Sequence, residues 1–160
     1  MTIAIGDQIP NIELTTMNKE GPSAVTYEDL FANKKVALFA VPGAFTPTCS
    51  QQHLPGFIGQ AQQLKEKGID IVACMSVNDV FVMNAWGKSH GADEEVLMLA
   101  DGNGAFTKAL GLELDASGYG MGTRSQRFSL ITNNGVIETL NIEEGGEFSV
   151  SSCEFMLGQI

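Results

Sequence analysis

Basic residues are scarce in this chain. Nine lysines and arginines stand against 19 aspartates and glutamates, a formal net charge of −10 at pH 7. That shortage argues against nucleic acid and anionic membrane as main partners, since both are held chiefly by Lys and Arg. No apolar run is long enough to span a bilayer. The opening Met1-Thr2-Ile3-Ala4-Ile5-Gly6-Asp7 lacks a basic stretch followed by an apolar one, so no secretory signal is expected there. The expected location is the cytoplasm, or an organelle if a transit peptide has been removed. Cysteine is limited to three scattered residues, Cys49, Cys74 and Cys153, which make no disulfide scaffold. A reducing compartment with free or catalytic thiols fits better. There is no repeat, low-complexity segment or linker. With 160 residues, 44% of them hydrophobic, one domain over residues 1–160 with a full core is expected.

What the chain does contain is an alternation of strand and helix patterns. Residues 1–28 read as irregular, with turn residues at Asn18 to Ser23 and one short helical turn near Thr26 to Phe31. Val36 to Val41 is a continuous apolar run, the mark of a strand buried on both faces. Cys49 to Lys67 has helical periodicity through Leu54, Phe57, Ile58, Ala61 and Leu64, and Pro55 should kink it. Gly68 closes that helix before a second buried strand, Ile69 to Val77. Asn78 or Asp79 caps the next helix, through Phe81, Val82, Ala85 and Trp86, the last read as core or interface. Val96 to Ala100 is a third strand and Gly104 to Leu110 a short helix. Then come a glycine-rich loop, Gly118 to Gly122, and the strands Phe128 to Thr132 and Val136 to Ile142. These two are joined by the hairpin signal Asn133-Asn134-Gly135. Ser151-Ser152-Cys153-Glu154 has capping-box spacing and opens a terminal helix. The order implies a parallel sheet portion with right-handed crossovers and an antiparallel edge, an α/β fold with a mixed central sheet flanked by helices.

The densest chemistry lies in Pro42-Gly43-Ala44-Phe45-Thr46-Pro47-Thr48-Cys49. Thr46 suits an N-cap and Pro47 the first helical position, which places Cys49 in the first turn. Unpaired N–H groups and the positive end of the macrodipole there favour a thiolate, an activated sulfur nucleophile. Thr46-x-x-Cys49 has the spacing of a Cys-x-x-Cys motif without its first cysteine, so no local disulfide can form. Thr46 instead offers a hydroxyl for the helix, the sulfur or a substrate oxygen, and Pro42 can shield the sulfur from water.

Pro42-x-x-x-Thr46-x-x-Cys49 matches the peroxiredoxin active-site motif. The longer stretch Val41 to Cys49 closely resembles the type II, or peroxiredoxin-five, subfamily. So do His53-Leu54-Pro55-Gly56-Phe57, Cys74-Met75-Ser76-Val77-Asn78-Asp79 and Gly122-Thr123-Arg124-Ser125-Gln126-Arg127-Phe128. The resemblance runs from about Gly6 nearly to the end. It implies a thioredoxin-like fold and a thiol peroxidase in which Cys49 attacks a hydroperoxide and becomes a sulfenic acid. Thr46 and the Cys49 amide would position the peroxide, and Arg127 would stabilise the thiolate and polarise the O–O bond. No cofactor or metal is implied. Cys49, His53, Cys74 and His90 fit no usual zinc spacing, and a zinc-bound thiolate would lose its peroxidase role.

The remaining candidates carry two readings each. Arg124 and Arg127 read as solvated surface arginines or as ion-pair partners of Glu138 or Glu143; the resemblance favours Arg127 at the site and Arg124 at its entrance, with Gly43, Phe45 and His53. Cys74 is a buried strand cysteine or, as in plant-like members, a resolving thiol. Cys153 falls a few residues beyond the resolving cysteine of animal members and lies in a first helical turn. If neither resolves, glutathione and glutaredoxin recycle the enzyme; thioredoxin is the second choice. The Gly43-Ala44-Phe45 loop, Phe81 and the Gly118 to Gly122 loop could form an apolar rim, where family members commonly dimerise, so a homodimer is expected. The non-enzymatic alternative is a redox sensor or relay that reacts once and passes oxidation to a partner.

Overall fold

The computed structural model of the chain describes every residue except Asp93. Its first five strands are β1 (Leu14–Asn18), β2 (Gly21–Val25), β3 (Lys35–Val41), β4 (Ile71–Ser76) and β5 (Leu97–Ala100). Four more follow: β6 (Glu113–Asp115), β7 (Thr123–Ser125), β8 (Phe128–Asn133) and β9 (Val136–Ile142). Seven of them make a mixed central sheet in the order β2-β1-β5-β4-β3-β8-β9, and β6 pairs with β7 beside the glycine-rich loop. The three middle strands, β3, β4 and β5, are parallel neighbours. β8 lies antiparallel to β3, and β9 forms the edge beyond it. The β8–β9 turn is the expected one: Asn134 and Gly135 both take positive φ, 49° and 78°, as a two-residue hairpin of this hand requires.

Alternation along β3 makes two cores. Ala37, Phe39 and Val41 face one side with α2 (Leu54–Glu66), α3 (Val80–Ser89) and α5 (Cys153–Leu157). Val36, Leu38 and Ala40 face the other with α1 (Tyr27–Leu30) and α4 (Ala105–Leu110). All six of these strand residues are fully buried, which is why the segment reads as an unbroken apolar run rather than an alternating one. All three cysteines belong to the first core.

The amino-terminal region departs from the expectation of irregular chain. β1 and β2 form a hairpin at the sheet's other edge, and β1 pairs with β5 through Thr15 and Ala100. Pro22 sits in the outermost strand, where a missing N–H costs no ladder bond to a further strand. The terminal helix is capped by Ser152, whose hydroxyl accepts from the Phe155 amide, and not by Ser151 as the capping-box spacing suggested.

The topology brings two distant motifs together. β3 ends at Val41 and feeds the Pro42 loop. β8 runs the opposite way, with Phe128 opposite Ala40, so the residue before Phe128 arrives level with that loop.

Candidate active site

The chain leaves β3 through a strained loop. Phe45 holds φ at +66°, a left-handed conformation costing a non-glycine residue about 1–2 kcal/mol. Two contacts hold the loop there. The Thr46 hydroxyl donates to the Gly43 carbonyl at 2.6 Å. The Asn78 Oδ1 accepts from the Ala44 amide at 3.0 Å and from the Ser76 hydroxyl at 2.7 Å. Asp79, not Asn78, caps α3. Asn78 therefore ties the loop to the end of β4. Gly43 leaves little room for a side chain: a Cβ would meet Met121 at 3.0 Å and Thr46 at 3.2 Å.

The hydroxyl of Thr46 is thus turned back into the loop rather than forward onto the helix, which corrects the expected side-chain cap. Its carbonyl still accepts from the Ser50 amide at 2.9 Å. Pro47 and Thr48 are helical, and the next five residues, Cys49–His53, form a π-helical turn in which the Leu54 amide reaches back to the Cys49 carbonyl. Pro55 fits the widened turn: it has no N–H for the Gln51 carbonyl four residues back and its ring crowds that carbonyl, and at the π spacing it also leaves the Ser50 carbonyl without a backbone partner. His90 Nε2 lies 2.9 Å from the Ser50 carbonyl and supplies the missing donor. The Trp86 indole N–H donates to the Ser50 hydroxyl at 2.9 Å. The expected kink is therefore a π-turn braced from α3.

Cys49 is fully buried, and its sulfur meets Arg127. The guanidinium Nη2 donates to Sγ at 3.0 Å, while Nη1 donates to His53 Nδ1 at 2.9 Å. His53 Nε2 lies 2.9 Å from the Ser151 carbonyl. A carbonyl only accepts and a guanidinium only donates, so the ring must carry its proton on Nε2. His53 is fully buried and packs against Phe39, Phe57 and Phe148. Burial, and then the Arg127 charge, push its pKa down to about 3 against the Ser151 bond. The ring is neutral at any physiological pH.

A buried neutral histidine makes stability depend on pH. Between about pH 3 and 6.5 the unfolded chain protonates this ring and the folded chain does not, so the unfolded state binds more protons and stability rises with pH. Acidification from about pH 7 to 4 is expected to cost on the order of a few kcal/mol through His53 alone. Urea unfolding of wild type and His53→Asn at both pH values checks it: the variant should show a distinctly shallower dependence.

An apolar pocket of about 500 Å³ opens beside these groups, with Pro42, Thr46, Pro47, Tyr119, Met121 and Arg127 in its wall. Arg127 both lines this pocket and touches the sulfur. A fixed cation there stabilises negative charge on sulfur and, in the pocket, on an oxygen leaving from a substrate. Arg124 sits farther out, with its Nε donating to the Met121 carbonyl at 2.9 Å. Neither arginine pairs with Glu138, which instead meets Lys35 at 3.6 Å.

Known relatives point the same way. Residues 4–157 match the Redoxin family. Peroxiredoxin-2C of Oryza sativa subsp. japonica is 53% identical over 156 residues, covering 97% of this chain and 96% of the relative. The chain belongs to the peroxiredoxin family. Chloroplastic peroxiredoxin-2E of Arabidopsis thaliana is 51% identical over 160 residues, 98% of this chain and 68% of the relative. Among solved structures, reduced Prx3 of Vibrio vulnificus in complex with hydrogen peroxide superposes with a TM-score of 0.95, at 55% identity, over 99% of both chains. This peroxiredoxin is a thiol-based peroxidase with the expected mixed-sheet, thioredoxin-like architecture.

The other two cysteines of this peroxiredoxin lie buried under the site. Cys74, opposite Phe39 in the sheet, has its thiol pushed well up by burial and then by the neighbouring Cys49, against a smaller pull from Arg127. Burial pushes Cys153 up to about 12. Both are held as thiols, which are poor nucleophiles. Asn78, Trp86, His90, Ser151 and Glu143 join the site or its supports, although the sequence reads each of them differently. Asn78 is legible in part, since the Asn78-Asp79 pair holds two capping residues where a helix needs one. Glu143 gives no local signal.

Proposed function

We propose that this peroxiredoxin reduces hydrogen peroxide and alkyl hydroperoxides through Cys49, with glutathione and glutaredoxin as reductants. The observation that carries the reading is the 3.0 Å contact from Arg127 Nη2 to Cys49 Sγ, at a helix start and beside an apolar pocket. The Cys49 thiolate attacks the terminal oxygen of the hydroperoxide. The S–O bond forms as the O–O bond breaks, and sulfur gives up two electrons. The departing alkoxide or hydroxide takes a proton and leaves as alcohol or water. Arg127, already against the sulfur, faces the oxygen on which charge develops. Pro42 and Thr46 wall the pocket, and its apolar lining favours organic as well as inorganic hydroperoxides. The peroxide complex of the Vibrio vulnificus relative supports the same substrate class.

The state of the other two cysteines supports this choice of reductant. With Cys74 and Cys153 both held as buried thiols, the Cys49 sulfenic acid condenses with glutathione, releasing water. A second thiol then releases the mixed disulfide as oxidised glutathione and restores Cys49. One observation favours a second reading: Cys74 shares the core of Cys49 and feels its charge, so a Cys49–Cys74 disulfide after local rearrangement would suit thioredoxin. Exposed Phe45 and Phe81, 54% and 63% accessible, support a homodimer formed beside the site. A reducing compartment fits all of this, either cytoplasm or an organelle such as the one named for the chloroplastic relatives.

Intact mass after one equivalent of hydrogen peroxide tests the recycling. Wild type, Cys74→Ser and Cys153→Ser should each gain one oxygen, replaced by one glutathione on adding that thiol. A loss of two hydrogens that vanishes in Cys74→Ser would overturn the glutathione route in favour of the disulfide. A single turnover with either reductant system would favour the sensor.

A further inference from the structure

The contacts around Arg127 form a closed circuit that begins and ends on one residue pair. Glu143 donates its backbone N–H to the Arg127 carbonyl at 3.0 Å, just beyond the β8–β9 ladder. Its side chain gathers the segment that follows. A single carboxylate oxygen, Oε2, accepts from the amides of Ser149, Val150 and Ser151 at 2.8, 2.9 and 2.8 Å, and from the Ser151 hydroxyl at 2.6 Å. Glu143 is 4% accessible and Ser151 fully buried, so this is an interior anchor and not a surface contact. Burial opposes ionisation of the carboxyl, but the Ser151 hydroxyl and the three amides outweigh it and hold the group below its ordinary range. The anchored Ser151 then presents its carbonyl to His53, and His53 holds Arg127.

We infer that Glu143 is a positioning residue for the reaction: by fixing the Ser151 carbonyl it sets the tautomer of His53, and so the orientation of Arg127 on the Cys49 sulfur. The choice of tautomer is binary. With the proton on Nε2, both ring nitrogens are satisfied. With the proton on Nδ1, an N–H would face the guanidinium N–H and a lone pair would face the Ser151 carbonyl, two repulsive contacts in a dry aromatic pocket. If the carbonyl moves, only the Arg127 N–H still selects the first arrangement, so the second costs one repulsive contact rather than two, and a ring that takes it no longer accepts from the guanidinium. Glu143 never touches the sulfur. It acts through Ser151, His53 and Arg127 in turn.

The inference rests on the assignment of Cys49 and Arg127 above, but one of its readouts does not. The ring nitrogens of His53 in 15N-labelled full-length protein report the tautomer directly, whatever reaction the protein performs. They are assigned by their loss in His53→Asn. Wild type should show one tautomer, protonated on Nε2. Glu143→Gln keeps the shape but replaces the charged acceptor with a weaker one. It should populate both tautomers and slow oxidation of Cys49 by hydrogen peroxide about tenfold, as small misplacements of a reacting group do. Glu143→Ala should do more, and Glu143→Gln remains informative should Glu143→Ala not fold. In the His53→Asn background, Glu143→Gln should slow the reaction no further, because the link it works through is gone. An unchanged tautomer in Glu143→Gln overturns the inference, even if the rate falls, because Glu143 would then act through the pocket it also lines. A changed tautomer with an unchanged rate overturns it equally.

Discussion

Cys49→Ser is expected to lose peroxidase turnover by at least about 10³-fold, the scale on which deletion of a covalent nucleophile is felt. The substitution changes little else. Serine is close to cysteine in size, and its hydroxyl can still accept from Arg127 in the same fully buried position. What disappears is a polarisable sulfur able to give up two electrons and hold an oxygen atom. A serine hydroxyl cannot become the sulfenic acid counterpart, so neither reductant has anything to reduce. The two remaining thiols should not take over: burial holds Cys74 well above its ordinary range and Cys153 up at about 12. Peroxide consumption in the presence of either reductant system checks the result. Loss of activity with an unchanged unfolding transition supports the assignment. Turnover above about one thousandth of wild type would sink it and point to Cys74 as the reacting thiol.

Much of this architecture is legible in the amino-acid sequence. β3 and β4 read as strands because both of their faces are buried, leaving mostly apolar residues to choose from. Cys49 stands out because a threonine, a proline and a cysteine at helix-opening spacing are more specific than any one of them. The β1–β2 hairpin is hidden for the opposite reason. It lies at the sheet edge, its residues are half-exposed and mostly polar or small, and Pro22 reads as a strand breaker until the strand is known to be outermost. Thr46 reads as a helix cap, yet its hydroxyl has two acceptable uses and only the loop geometry chooses between them. The bracing residues are invisible for a simpler reason. His53 meets Ser151 across 98 positions, Ala44 meets Asn78 across 34, and Ser50 meets His90 across 40. No periodicity or motif spacing records such pairs. A nucleophile at a helix start leaves a local pattern in the chain. Apart from Asn78, whose place beside Asp79 is a partial signal, the residues that brace it leave none, because bracing is a property of the tertiary fold.

Arg127 provides the second large expected effect. Arg127→Met should slow the oxidation of Cys49 by roughly 10²–10³-fold, the usual consequence of removing one pre-aimed donor from a developing negative charge. The more discriminating variant is Arg127→Lys. A lysine keeps the charge, yet the native guanidinium uses two separate nitrogens, Nη1 on His53 and Nη2 on the sulfur, held in one plane. An ammonium has a single head and cannot occupy both places at once. If charge alone mattered, lysine would restore most of the rate. If the fork matters, lysine should recover no more than about a tenth of it, given what a misplaced group of this kind forfeits. Stopped-flow oxidation at fixed pH, with hydrogen peroxide as the sole substrate, separates the two. An unchanged rate in Arg127→Met would transfer the role to Arg124, whose side chain bonds the Met121 carbonyl beside Gly43.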